Sequence, residues 1–102
     1  MFKKYYVKFE EPLYIKKIKL KILVELATPQ NYQDILNEME EYTSDVSSDF
    51  SKKTIKCIGE IGMRLDSALS SVVLLLKSLI NKKVDYVVSQ TMNVLQSKKN
   101  YL

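Results

Sequence analysis

The spacing of apolar residues along the chain predicts a protein built only from α-helices. Apolar side chains recur at steps of three and four through most of its length, the period that gathers them on one face of a helix. Glycine and proline, which punctuate chains with many tight turns, occur only twice each. The pattern predicts about five helices joined by short loops, at residues 13–26, 29–42, 49–65, 67–81 and 84–98.

The first predicted helix has apolar residues on more than one side. Its main stripe steps by three or four residues and consists of Ile15, Ile18, Ile22 and Leu26. Leu20, Leu23 and Val24 widen that stripe beyond one face, which is typical of a helix packed between neighbours. Pro12 suits the first turn, where its missing N–H costs no hydrogen bond.

The second predicted helix is amphipathic. Thr28 offers an N-cap, and Pro29 fits the first helical position that follows it. The apolar stripe consists of Tyr32, Ile35, Leu36, Met39 and Tyr42. The other face carries Asp34, Glu38, Glu40 and Glu41. We interpret these carboxylates as a solvated helix face.

The third predicted helix contains both glycines of the chain. Candidate caps before it are Asp45, Ser47 and Ser48. Gly59 and Gly62 each cost about 1 kcal/mol relative to alanine inside a helix. Close approach by a neighbouring helix would compensate that cost, so we interpret them as packing residues and not as a phosphate-binding loop.

The fourth predicted helix gives the cleanest amphipathic pattern in the chain, after a candidate cap at Asp66 and Ser67. Its apolar residues are Leu69, Val72, Val73, Leu76, Leu79 and Ile80. The fifth predicted helix presents Val87, Val88, Thr91, Val94 and Leu95, with no helix after it as a partner.

An internal repeat of 36 residues relates three of these helices. Tyr14, Phe50 and Tyr86 are evenly spaced, and an aliphatic residue follows each of them eight positions later. Those aliphatic residues are Ile22, Ile58 and Val94. The helix order is then A-B-A-B-A, which predicts an α-solenoid of HEAT/armadillo-like helix pairs, with an irregular helical bundle as the alternative. Neither end carries a polar cap, so we expect an internal slice of a longer rod.

Charge is segregated along the chain behind a net charge of +4. Residues 1–25 carry +4, residues 26–50 carry −6 and residues 51–83 carry +5. Alternately charged, solvated faces explain this pattern, while a basic surface that meets an anionic membrane, an acidic partner or nucleic acid is the functional alternative. The longest apolar run, Val72 to Leu76, is far shorter than the roughly 20 residues that span a bilayer. A single cysteine, Cys57, favours a reducing compartment, and we expect a cytoplasmic protein.

The residues of catalytic and metal sites are largely missing from the sequence. There is no histidine, the commonest general base and metal ligand. Without histidine, Cys57 has no partner for a zinc site or a nucleophile pair, and we interpret it as a small buried hydrophobe. We predict that the chain is not an enzyme and has no catalytic, cofactor-binding or metal-binding residue.

Several runs of residues resemble the trunk of the beta-adaptins, large subunits of clathrin-associated adaptor complexes. The first covers Tyr6 to Lys17, and a second covers Lys19 to Ala27. The others are Tyr32 to Tyr42, Asp45-Val46 with Phe50, Ile55 to Gly62, which is similar to the family's Ala-Ile-Gly-Arg pattern, and Val84 to Val88, which is similar to Val-Asn-Tyr-Val-Val. The sequence departs from the family at Cys57, Glu60 and Gly62 and across 89–93.

The resemblance implies a scaffold segment of an adaptor complex that acts in vesicle-mediated intracellular protein transport. It implies pairing with the second large subunit and contact with the medium and small subunits. In the full-length protein it implies clathrin and an Arf-family GTPase as partners, and peripheral association with Golgi, endosomal or coated-vesicle membranes. The alternatives are another HEAT-type scaffold, such as a nuclear-transport protein, and a basic helical module that binds nucleic acid.

Overall fold

A computed structural model of the chain describes residues 2–45, 47–81, 90–92 and 94. Four α-helices lie within residues 2–45 and 47–81: α1 (Leu13–Leu26), α2 (Tyr32–Tyr42), α3 (Ser48–Arg64) and α4 (Leu69–Ile80). Short 3-10 turns occupy Phe2–Tyr5 and Asp66–Ala68. None of the described residues lies in a β-strand, and the predicted all-helical class is confirmed.

The start of α2 differs from the prediction by three residues. Thr28 and Pro29 belong to a turn and not to the helix, which begins at Tyr32. The Thr28 hydroxyl accepts hydrogen bonds from the backbone N–H groups of Gln30 and Asn31, both at 3.3 Å. The predicted capping chemistry is therefore used to close this turn, one turn before the helix.

Helices α3 and α4 begin in two different ways. Ser47 caps α3 as one of the predicted candidates, because its hydroxyl accepts from the backbone N–H of Phe50 at 3.3 Å. The predicted cap of α4 at Asp66 and Ser67 is wrong, since those residues form the 3-10 turn and neither it nor α4 has a side-chain cap. Backbone hydrogen bonds stabilise this turn instead: the Ala68 N–H donates to the carbonyl oxygen of Leu65 at 3.0 Å.

Helix α3 is the centre of the described fold and packs against α1, α2 and α4. Two contacts, one at each end, show that α1 and α3 run parallel. At their N-terminal ends, the Lys16 ammonium lies 5.2 Å from the centre of the Phe50 ring. At their C-terminal ends, Arg64 donates a hydrogen bond to the carbonyl of Ala27 at 2.7 Å. Parallel first helices of successive pairs are the arrangement that stacked helix pairs produce, so the solenoid-like fold is confirmed.

The buried face of α1 is not the main stripe that its spacing predicted. Ile18 is 53% exposed and Leu26 is also exposed. Leu20, Leu23 and Val24 are buried instead. Tyr14 is 67% exposed, whereas Phe50, its counterpart in the repeat, is completely buried. Contacts with α3 select one of two apolar faces that periodicity does not distinguish.

The predictions for α3 and α4 are confirmed where burial tests them. Val72, Leu76 and Leu79 are completely buried in α4. Both glycines and Cys57 are buried in α3, at the centre of the helical stack. The predicted fifth helix, 84–98, falls mostly outside the described residues; of its residues, 90–92 and 94 are helical, and Tyr86 is not described.

Candidate interaction surface

Lys16 forms a buried ion pair that joins α1 to the loop between α2 and α3. Its ammonium lies 3.2 Å from Asp45 Oδ2, and the two side chains are only 8% and 9% exposed. The rings of Phe9 and Phe50 lie 5.4 and 5.2 Å from the same ammonium, within the range of a cation–π contact. Asp45 Oδ1 also accepts from the backbone N–H of Ser47 at 2.8 Å. The lysine is a structural residue, and its burial was not predicted from the sequence.

Arg64 binds the C-terminal end of α1. Its Nη1 donates to the carbonyl oxygens of Val24 and Ala27 at 2.8 and 2.7 Å. Its Nη2 donates to the carbonyl oxygen of Glu25 at 2.9 Å. Carbonyls at a helix C-terminus lack partners inside the helix and carry partial negative charge, so a guanidinium satisfies both requirements. Arg64 therefore ties the ends of α1 and α3 together.

Two tyrosines connect the N-terminal segment, residues 2–12, to α2. The backbone N–H of Val7 donates to the Tyr42 hydroxyl at 2.7 Å, and the Tyr6 hydroxyl donates to the carbonyl oxygen of Asp34 at 3.4 Å. Burial raises the pKa of Tyr42 well above its ordinary value, and the nearby Glu38 carboxylate adds to this effect. The pKa of Tyr6 is also raised, first by burial and then by Glu38 and Asp34. Both hydroxyls thus stay protonated beside a carboxylate-rich surface.

Two neighbouring pockets lie between α2 and the residues that precede α1, and both are lined by Glu38 and Glu41; we name them together the Tyr42 groove. One part, about 330 Å³, is lined by Val7, Phe9, Glu38, Glu41, Tyr42, Ser44, Asp45 and Phe50. A smaller part, about 220 Å³, shares Glu38 and Glu41 and adds Lys3, Tyr6, Asp34 and Asn37. Two of the three glutamates predicted as a solvated face of α2 therefore line a concave surface with aromatic neighbours.

A second groove separates α2 from α4. It measures about 280 Å³ and is lined by Gln33, Leu36, Asn37, Glu40, Ser71, Leu74, Leu75 and Ser78. Glu40, the third glutamate of that predicted face, lies here. Leu74 is 69% exposed, so the rim offers an apolar side chain to solvent.

The lysines of α1 divide between structural and exposed positions. Lys19 pairs with Glu11 at 2.6 Å, and this hydrogen bond lowers the pKa of the Glu11 carboxyl. Lys16 is buried, as described above, whereas Lys21 is exposed. Lys16 and Lys19 are thus already engaged in ion pairs within the protein.

The described residues offer little for catalysis or metal binding. Burial raises the pKa of the Cys57 thiol to about 11, which keeps it protonated and unreactive near neutral pH. In residues 2–45, 47–81, 90–92 and 94, no three acidic, histidine or cysteine side chains gather as ligands for a metal ion. Among the same residues, no helix has both the length and the apolarity to cross a bilayer.

The sequence of the chain is similar to that of a known protein family. The model of the adaptin N-terminal region matches residues 2–97. The chain is 34% identical over 94 residues to the AP-1 complex subunit beta-1 of Homo sapiens, covering 92% of this chain and 10% of that protein. It is 33% identical over 92 residues to the AP-2 complex subunit beta of Schizosaccharomyces pombe, covering 90% of this chain and 14% of that protein. The AP-1 complex subunit beta of Dictyostelium discoideum is 32% identical over 94 residues, with 92% of this chain and 10% of that protein covered.

Proposed function

Because the chain belongs to the family of the adaptin N-terminal region, we propose that it is a scaffold segment of an adaptor-complex β subunit in vesicle-mediated protein transport. The match of residues 2–97 to that family carries the proposal. The AP-1 and AP-2 relatives are β subunits, which favours this subunit type over the other large subunit. The role is structural: the chain holds protein partners in place and does not catalyse a reaction.

The physical basis of the proposal is the stacked arrangement of α1 to α4. Each helix buries one face against its neighbours, and the remaining faces stay available to other proteins. Exposed apolar residues on those faces include Tyr14, Ile18, Met63 and Leu74. Surfaces of this kind suit contacts with other subunits, since buried apolar area is the main source of binding energy between proteins.

We further propose the partners that the adaptor role requires. They are the second large subunit and the medium and small subunits of one complex, and in the full-length protein clathrin and an Arf-family GTPase. The complex would act from the cytoplasmic side of Golgi, endosomal or coated-vesicle membranes, held there peripherally. The chain spans only 10–14% of the length of the relatives it matches, so these partners belong to the complete subunit.

Affinity purification from the source cells tests the proposal. The protein that contains this chain is tagged at its own locus, purified at moderate salt and analysed by quantitative mass spectrometry. We expect one second large, one medium and one small adaptor subunit in equal amounts. Recovery with nuclear-transport factors, or without these subunits, would contradict the adaptor role. A gel-shift assay with the 102-residue chain addresses the nucleic-acid alternative, which predicts binding that weakens steeply as salt rises.

A further inference from the structure

The Tyr42 groove combines an exposed aromatic ring with carboxylates in one concavity. Phe9 is 74% exposed, although the Lys16 ammonium lies only 5.4 Å from the centre of its ring. Tyr42 and Phe50 form the buried floor, with their ring centres 5.5 Å apart. A partner that covered Phe9 would remove its apolar surface from water, which favours binding.

The charges of the groove are not balanced within the described part of the protein. Asp45 is neutralised by Lys16. The carboxylates of Asp34, Glu38 and Glu41 lie in no ion pair formed by described residues. Among the described residues that line the groove, Lys3 is the only basic one. The groove therefore carries a net negative charge, although the chain as a whole carries +4.

We propose that the Tyr42 groove binds a basic peptide segment of a partner protein, with an arginine placed over Phe9 and between Glu38 and Glu41. Charge complementarity selects a cationic occupant, since the phosphates of nucleic acid or of an anionic membrane would be repelled. The aromatic ring selects arginine over lysine, because a guanidinium stacks on a ring and donates to two carboxylates at once. Apolar residues beside the arginine would cover the half-buried Val7. This proposal does not depend on the adaptor role.

A peptide-binding assay with the 102-residue chain tests the proposal. The probe is a short fluorescein-labelled peptide in which arginine and leucine alternate, and fluorescence anisotropy measures its dissociation constant at low salt. We expect the Glu38→Gln/Glu41→Gln variant to raise this constant about tenfold, as two lost charge contacts would do. Phe9→Ala should raise it about three- to fivefold through the lost ring contact. The same peptide with lysine in place of arginine should bind several-fold more weakly.

A matched variant distinguishes binding in the groove from general electrostatic attraction between the peptide and the chain. Glu25→Gln/Glu40→Gln makes the same change in net charge at exposed positions away from the groove, and we expect less than about a twofold effect. Circular-dichroism melts establish that all variants remain folded. No binding by the parent chain, equal weakening in the matched variant, or an unchanged constant for Phe9→Ala would overturn the proposal. Self-association of the chain that the groove variant abolishes would also overturn it, because the occupant would then be a second copy.

Discussion

The ion pair between Lys16 and Asp45 gives the sharpest test of the described fold. Replacing Lys16 by methionine keeps most of the side-chain stem and removes the ammonium. The Asp45 carboxylate, 9% exposed in the parent, then keeps the backbone N–H of Ser47 as its one partner among the described residues. An unpaired charge in such a place is far more costly than the pair was favourable.

The expected loss of stability is large. Breaking a buried pair from one side costs roughly 3–5 kcal/mol, and each cation–π contact adds about 0.5–1 kcal/mol. Partial hydration of the freed carboxylate lowers the total, so we expect Lys16→Met to reduce the free energy of unfolding by about 3 kcal/mol. For a chain of this size that corresponds to a fall in Tm of roughly 15 °C.

A double-mutant cycle measures the pair itself. Asp45→Asn alone leaves the lysine ammonium buried, and Lys16→Met combined with Asp45→Asn removes both charges. We expect the double variant to recover stability, with a coupling free energy of about 2 kcal/mol. Urea unfolding followed by far-UV circular dichroism gives each value, and Lys21→Met, an exposed change on the same helix, should stay within about 0.5 kcal/mol of the parent. A loss below about 1 kcal/mol for Lys16→Met, or two single effects that simply add, would refute the reasoning.

Other substitutions probe the remaining contacts by the same unfolding assay. Arg64→Met should cost about 2 kcal/mol because the carbonyls of Val24, Glu25 and Ala27 lose a charged donor, while Lys56→Met, an exposed change on the same helix, should cost almost nothing. Equal effects would contradict the assigned role of the arginine. Leu76→Asp should unfold the chain by placing a charge in the core, whereas Leu74→Asp, at a position 69% exposed, should leave it folded; a cooperative melt for the first variant would show the placement of α4 to be wrong. Tyr42→Phe should cost about 1–2 kcal/mol, since a backbone N–H of the N-terminal segment loses its acceptor, and an unchanged midpoint would rule that bond out as a stabilising contact.

The helices could be predicted from local pattern where one face is clearly apolar. In α4 the buried residues Val72, Leu76 and Leu79 all belong to the predicted stripe. In α1 periodicity offered two apolar faces and could not choose between them. Contact with α3 decides that choice, and it buries Leu20 while leaving Ile18 exposed. Such contacts join residues far apart in the sequence, which local spacing does not reveal.

The same limit applies to the functional surface. The excess of acidic residues in 26–50 is visible in the sequence, but the pairing of Lys16 with Asp45 crosses 29 positions. The Tyr42 groove likewise depends on a contact between distant residues, because the hydrogen bond from Val7 to Tyr42 joins positions 35 apart in the sequence. No short motif marks either feature. A lysine four residues before the buried Leu20 is the only local signal, because that spacing places both on one helix face.

Helix α1 is held near its N-terminus by the Lys16–Asp45 ion pair and at its C-terminus by the hydrogen bonds of Arg64. Contacts at both ends fix the orientation of the helix axis as well as its position. These contacts oppose rotation of α1 about either end, so we expect the angle between α1 and α3 to change little. Helices α2 and α4 pack less closely and leave a groove of about 280 Å³ between them, so we expect their spacing to change more easily. When the helical stack bends, we therefore expect the distance between α2 and α4 to change while the packing of α1 on α3 is kept.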